Sequence, residues 1–175
     1  MIQIQLDKAP PVADGPIDHL VACHRRIEHR LDTLERAGAA LDQSPEASLI
    51  AIENSVRFMD VSGVLHTIDE EESVFPRIRN AANPDEIAYL DNLEAEHREA
   101  DQVYLRLKEV ATSLMNGVTP EAIPEYRNLV AKLSGMYRSH IASEDQVLME
   151  LGRRVLTPSE LEVIQSEMRA RRASA

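Results

Sequence analysis

A chain of 175 residues with 43% hydrophobic and 28% charged side chains has the size and balance of one ordinary soluble domain with a sizeable core. Aromatic residues are only 3%, Trp is missing and the formal net charge is −11, which argues against a base-stacking platform and against binding nucleic acid or anionic lipid. Cys23 is the one cysteine, so no internal disulfide forms; no signal peptide and no apolar run of about 18 residues is found, and a cytoplasmic protein is expected.

Residues 1–15 hold only the brief alternation Ile2, Ile4, Leu6 and read as an extended or disordered arm. A first helix follows Asp14-Gly15-Pro16 and fades around Gly38, with the inward stripe Ile17, Leu20, His24, Ile27, Leu31 and Leu34. Ser44-Pro45, Asn83-Pro84, Thr119-Pro120 and Thr157-Pro158 then mark four further helix starts. Proline suits the first helical position, and the residue before it can cap the turn. Asn83 with Glu86, and Thr157 with Glu160, have the spacing of a capping box.

The second stripe is Leu49, Ile52, Val56, Met59, Gly63, His66, Glu70 and Val74. The third is Leu90, Leu93, His97, then Ala100 or Asp101, then Tyr104 and Leu107. The fourth is Tyr126, Val130, Leu133, Tyr137, His140, Glu144, Val147 and Leu151. Steps of three and four put each set on one helical face. The expected fold is all-α: an antiparallel up-down four-helix bundle over 16–156, with a short extra C-terminal helix over 157–175 packed on its outside.

Each long helix carries a histidine mid-stripe, and each histidine has an acid four residues on: His24/Glu28, His66/Glu70, His97/Asp101 and His140/Glu144. With 30 acids in 175 residues, six histidines should show this spacing about once; four do. Residues i and i+4 lie about 40° apart and one turn along, so both can reach one ion. A lone histidine on an apolar face is usually a satisfied core residue, and a lone His/Glu pair usually a surface contact. Four on four inward stripes point instead to a metal, because buried charge needs a compensating cation. Imidazole and carboxylate suit iron, manganese or zinc, whereas a thiolate zinc site is excluded.

The stripes select His24, His66, Glu70, His97, His140 and Glu144 as ligands. Glu28 sits at the edge of its face and Asp101 competes with Ala100, so both are reserves. His19 and His29 lie five residues either side of His24, about 140° away, and fall outside the site. Cys23 reads as a buried small hydrophobe. In the run Asp69-Glu70-Glu71-Glu72 only Glu70 is expected inside, the others forming a solvated face.

At these residues the chain resembles a hemerythrin-like, HHE cation-binding domain. The resemblance runs from about residue 16 to 155 and is carried by Cys-His-Arg-Arg-Ile around His24, by His66 to Pro76, by Glu-Ala-Glu-His around His97, and by His140 to Asp145. The terminal Glu-Met-Arg-Ala-Arg-Arg resembles the end of one subgroup. The resemblance implies a four-helix bundle holding two irons, with Glu70 and Glu144 as bridges and His24, His66, His97 and His140 in the remaining protein positions. One departure stands out: oxygen-carrying members place a second histidine on the third helix, one turn before the first, and position 93 here is Leu. Water, Asp101, Glu28 or Glu94 is then left to complete one iron, and a single-metal site stays open.

The implied function is a non-haem diiron protein that binds or reacts with O2, NO or peroxide as sensor, scavenger or carrier. The alternative is a module for iron storage, delivery or metal-dependent regulation without turnover. A metal-free bundle, with histidines bonded to nearby acids, is the third possibility. The residues name no macromolecular partner and no oligomeric state.

Overall fold

Proline opens four of the five helices in the computed structural model, which describes residues 15–174. They are α1 (Pro16–Ala40), α2 (45–79), α3 (Pro84–Asn116), α4 (122–155) and α5 (Pro158–Ser174). No strand occurs among the described residues. The expected arm lies, except for Gly15, outside them. The capping box at Asn83 forms, its side chain accepting from the Asp85 and Glu86 N–H groups. At Thr157 the hydroxyl accepts from the Glu160 N–H at 3.3 Å while the Glu160 carboxylate accepts from the Thr157 N–H at 2.8 Å. Ser44 makes no side-chain cap. The helix expected from Thr119-Pro120 begins at Ala122, after a turn in which the Thr119 hydroxyl accepts from the Ala122 N–H.

The buried apolar residues fall into two clusters. One gathers Ile27, Leu31, Leu34, Met59, Leu107 and Leu133; the other gathers Ile17, Leu20, Phe75, Leu93, Leu148 and Met168. Chain order through the clusters gives the topology. α1 and α3 run from the second cluster to the first, α2 and α4 from the first to the second, so the four long helices alternate up and down. α3 packs along α4, and α1 along both α2 and α4. Close approach of α1 to α4 needs Gly38, where a Cβ would stand 2.9 Å from the Tyr126 ring. Ile164 and Met168 of α5 are fully buried in the second cluster, and this helix covers that end of the bundle.

α2 and α4 are interrupted by π-helical turns at Met59–Gly63, Asp69–Val74 and Glu144–Leu148. Such a turn inserts one extra residue and shifts the register of everything after it. In α4 the consequence is plain. Val147, expected inside, is 47% exposed, and Leu148 takes its place in the core.

Candidate metal centre

Between the two apolar clusters lies a polar layer to which every long helix contributes at the same height: His24 from α1, His66 and Glu70 from α2, His97 from α3, His140 and Glu144 from α4. All six are buried, Glu70, Glu144 and His24 with no exposed surface at all. Their ligand atoms form two overlapping groups, His24-His66-Glu70-Glu144 and Glu70-His97-His140-Glu144, each within 4.8 Å. The two glutamates belong to both groups; the histidines divide two and two. Glu144 lies 3.1 Å from His24 Nε2 through one oxygen and 3.1 Å from His140 Nε2 through the other. Glu70 spans likewise, one oxygen 3.9 Å from His24 Nε2, the other 3.5 Å from His66 Nε2 and 3.6 Å from His97 Nε2.

Among the described residues, no hydrogen bond satisfies the atoms that face this centre. Both carboxylate oxygens of Glu70 and of Glu144, and Nε2 of His24, His97 and His140, are buried without a hydrogen-bond partner. Each such atom costs about 1–3 kcal/mol when left unpaired, so a layer holding seven of them fits a bound cation far better than an empty core. The donor set, imidazole nitrogen with carboxylate oxygen, suits first-row divalent metals.

Three of the histidines are held from behind. The Nδ1–H of His24 donates to Asp145 at 2.7 Å, that of His97 to Glu71 at 2.8 Å, and that of His140 to Glu96 at 2.7 Å. A carboxylate at Nδ1 keeps the proton there and turns a lone pair on Nε2 towards the centre. Arg25 in turn pairs with Asp145. These acids were missed at the level of sequence because each partner comes from another helix, Asp145 lying 121 residues from His24. A faint signal exists: Glu71, Glu96 and Asp145 each sit directly beside a residue of the centre.

The electrostatics of the metal-free layer follow from burial and proximity. Burial alone would lower His24 and His140, but Glu144 and Glu70 facing His24, and Glu144, Glu96 and Glu70 around His140, outweigh it and lift each to about 9. Burial, then repulsion from Glu144, pushes Glu70 up to about 8. Burial works against ionisation of Glu144 too, yet His140 and His24 prevail and hold it below the usual carboxylate range. His66, desolvated and beside His24, is kept well below its ordinary value.

The reserve residues stay outside. Glu28 pairs with Arg25 at the surface, and Glu94 with Arg79. Asp101 is exposed, Ala100 taking the inward place. His29 is exposed. His19 is buried but lies beside Cys23, and Cys23 itself, buried as expected, accepts from Arg26 at 2.9 Å. The run 69–72 departs from expectation. Asp69 is fully buried and ion-paired with Arg171 and Arg172 of α5, Glu71 supports His97, and only Glu72 is well exposed. Leu93 is fully buried in the second apolar cluster.

The family model for the hemerythrin HHE cation-binding domain matches residues 15–151. The chain belongs to that family. No match is found among the curated proteins. The matched span of this hemerythrin-like domain takes in α1, α2, α3, α4 as far as residue 151 and every residue of the polar layer, and ends before α5. The His/Glu layer supports metal binding. No helix among the described residues is long and apolar enough to cross a membrane.

Proposed function

We propose that this hemerythrin-like domain holds two iron ions in the polar layer and reacts with O2, NO or peroxide as a sensor, scavenger or carrier. The sharing of Glu70 and Glu144 between the two four-residue groups carries the reading. One ion would sit between His24 and His66, the other between His97 and His140, with both carboxylates spanning them. Manganese or zinc has the same donor preferences; zinc has no redox chemistry, whereas iron would supply one-electron chemistry towards a diatomic or a peroxide when bound.

The protein's own part is to keep the centre dry and its ligands aimed. Asp145, Glu71 and Glu96 hold three imidazoles in one tautomer and orientation. The apolar clusters above and below exclude water from both poles. Four protein donors for each ion leave coordination positions for a small molecule. Burial this deep favours permanent retention over exchange, which sets the reading apart from storage or delivery. With Cys23 as the one cysteine, a reducing cytoplasm suits the protein.

The test is anaerobic loading with Fe(II) followed by air. Two irons per chain and a new visible charge-transfer band support the proposal. A loaded chain that stays colourless and consumes neither peroxide nor NO contradicts it.

A further inference from the structure

The family match ends at residue 151, so α5 stands outside it, yet α5 reaches the π-helical turn Asp69–Val74 that carries Glu70. A π turn inside an α-helix is rare and needs outside support to persist. Here the Phe75 N–H donates to the carbonyl of Glu70 itself. Pro76, which follows, has no N–H to donate and crowds the carbonyl four residues back. The backbone ladder is therefore broken beside the turn, and side chains hold it instead. Arg171 of α5 donates to Asp69 at 2.9 Å and to Ser73 Oγ at 2.8 Å, clasping the turn near both ends. Arg172 donates to the other oxygen of Asp69 at 2.6 Å. Glu167, also of α5, accepts from Arg77 at 2.8 and 3.1 Å, and Arg77 in turn donates to the Ser73 carbonyl at 2.7 Å. Asp69, Glu70 and Ser73 have no exposed surface.

We infer that α5 is a clasp that sets the position of Glu70 in the polar layer, with Arg171 and Arg172 acting through Asp69. Both arginines are positioning residues, each bonded to Asp69 rather than to a residue of the centre. The inference rests on the metal-centre reading above and adds to it what holds one of the two shared carboxylates in place. Asp69 and Glu70 are consecutive and point roughly a quarter turn apart round the helix, so fixing one fixes the other. Two guanidiniums tie Asp69 at both oxygens, a geometry that resists rotation of the turn. A slip of one residue would swing Glu70 by the same quarter turn and carry its oxygens away from His24, His66 and His97. Because Glu70 belongs to both four-residue groups, such a slip weakens both halves of the centre at once.

The test uses the full chain and cobalt(II), a coloured divalent ion that imidazole and carboxylate bind. Arg172→Gln and Arg171→Gln loosen the clasp, whereas Met168→Ala loosens the same helix through its apolar contact alone. Circular dichroism and Tm establish that each variant folds. Each arginine variant should bind cobalt about tenfold more weakly than the parent, with an altered visible band. Met168→Ala should match the parent in both. Folded arginine variants with the parent's affinity and band overturn the inference. So does an equal loss in Met168→Ala, because packing of the helix then suffices. Should Arg172→Gln fail to fold, Arg171→Gln decides alone, since it leaves Asp69 paired with Arg172. Amide hydrogen exchange of the metal-free chain reads the clasp without any ion. Exchange over 69–74 should quicken about tenfold in a folded arginine variant, and unchanged exchange there overturns the inference. A parent chain that takes up neither cobalt nor iron sinks the metal reading itself, and the exchange measurement still decides whether α5 holds the turn.

Discussion

Asp69 and Glu70 are neighbours in one π-helical turn and face opposite partners. Asp69 turns outward from the centre to two arginines of α5, at 2.9 Å from Arg171 and 2.6 Å from Arg172. Glu70 turns inward to the histidines. The C-terminal helix thus grips the residue next to a carboxylate of the centre.

Asp69→Ala should therefore be costly. The substitution leaves Arg172, only 8% exposed at its side chain, without its buried counter-charge, and breaking such a pair costs about 3 kcal/mol or more. Urea denaturation of the metal-free variant reads the loss. Stability within about 0.5 kcal/mol of the parent would show that α5 is not anchored through this residue.

Glutamates and histidines of the centre should differ in what their loss removes. Glu70→Gln or Glu144→Gln touches both four-residue groups, and each should lower iron below one per chain. His24→Ala and His97→Ala touch one group each and should leave about one iron bound. Elemental analysis distinguishes the cases. Equal losses in all four variants would contradict a centre divided two and two.

The acids behind the histidines should tune affinity without abolishing it. Asp145→Asn, Glu71→Gln and Glu96→Gln keep the shape but weaken the hold on Nδ1, and each should reduce metal affinity about 10- to 100-fold. Competition with a chromophoric chelator measures this. The reserve residue Glu28, paired with Arg25 at the surface, is the control: Glu28→Gln should change affinity less than about twofold.

The pH response should have opposite signs with and without metal. In the metal-free layer His24 and His140 are raised to about 9 and Glu70 to about 8, so near neutrality the folded chain holds protons that the unfolded chain has released. Their contribution to stability is present below the unfolded values and is lost as pH rises through 8 to 9. A cation must displace the same protons, so apparent metal affinity rises over that range. Thermal unfolding of the metal-free chain and metal titrations at successive pH values check both signs; an affinity that falls towards pH 9 would refute the second.

Much of this was legible in the residues. Proline after a capping residue marks helix starts because the chemistry is local. Periodicity places all six residues of the polar layer on inward faces, because His and Glu interrupt apolar stripes there and so put ionisable groups in the core. What stayed hidden depends on register and on other helices. Val147 and Leu148 exchange roles because a π turn adds a residue that no spacing rule anticipates. Asp69 looked solvated because its arginines arrive from α5, about 100 residues away. Asp145, Glu71 and Glu96 were hidden for the same reason, each serving a histidine on a different helix. Between the adjacent Ala100 and Asp101, spacing alone left the inward place open; Ala100 takes it and Asp101 is exposed.

The most direct measurement is X-ray absorption at the iron edge of the loaded protein. Two ions sharing Glu70 and Glu144 predict, beyond a first shell of nitrogen and oxygen, a metal–metal scattering path no longer than about 4 Å, lost in Glu144→Gln. A spectrum with light-atom shells alone, at full iron loading, would contradict a shared centre.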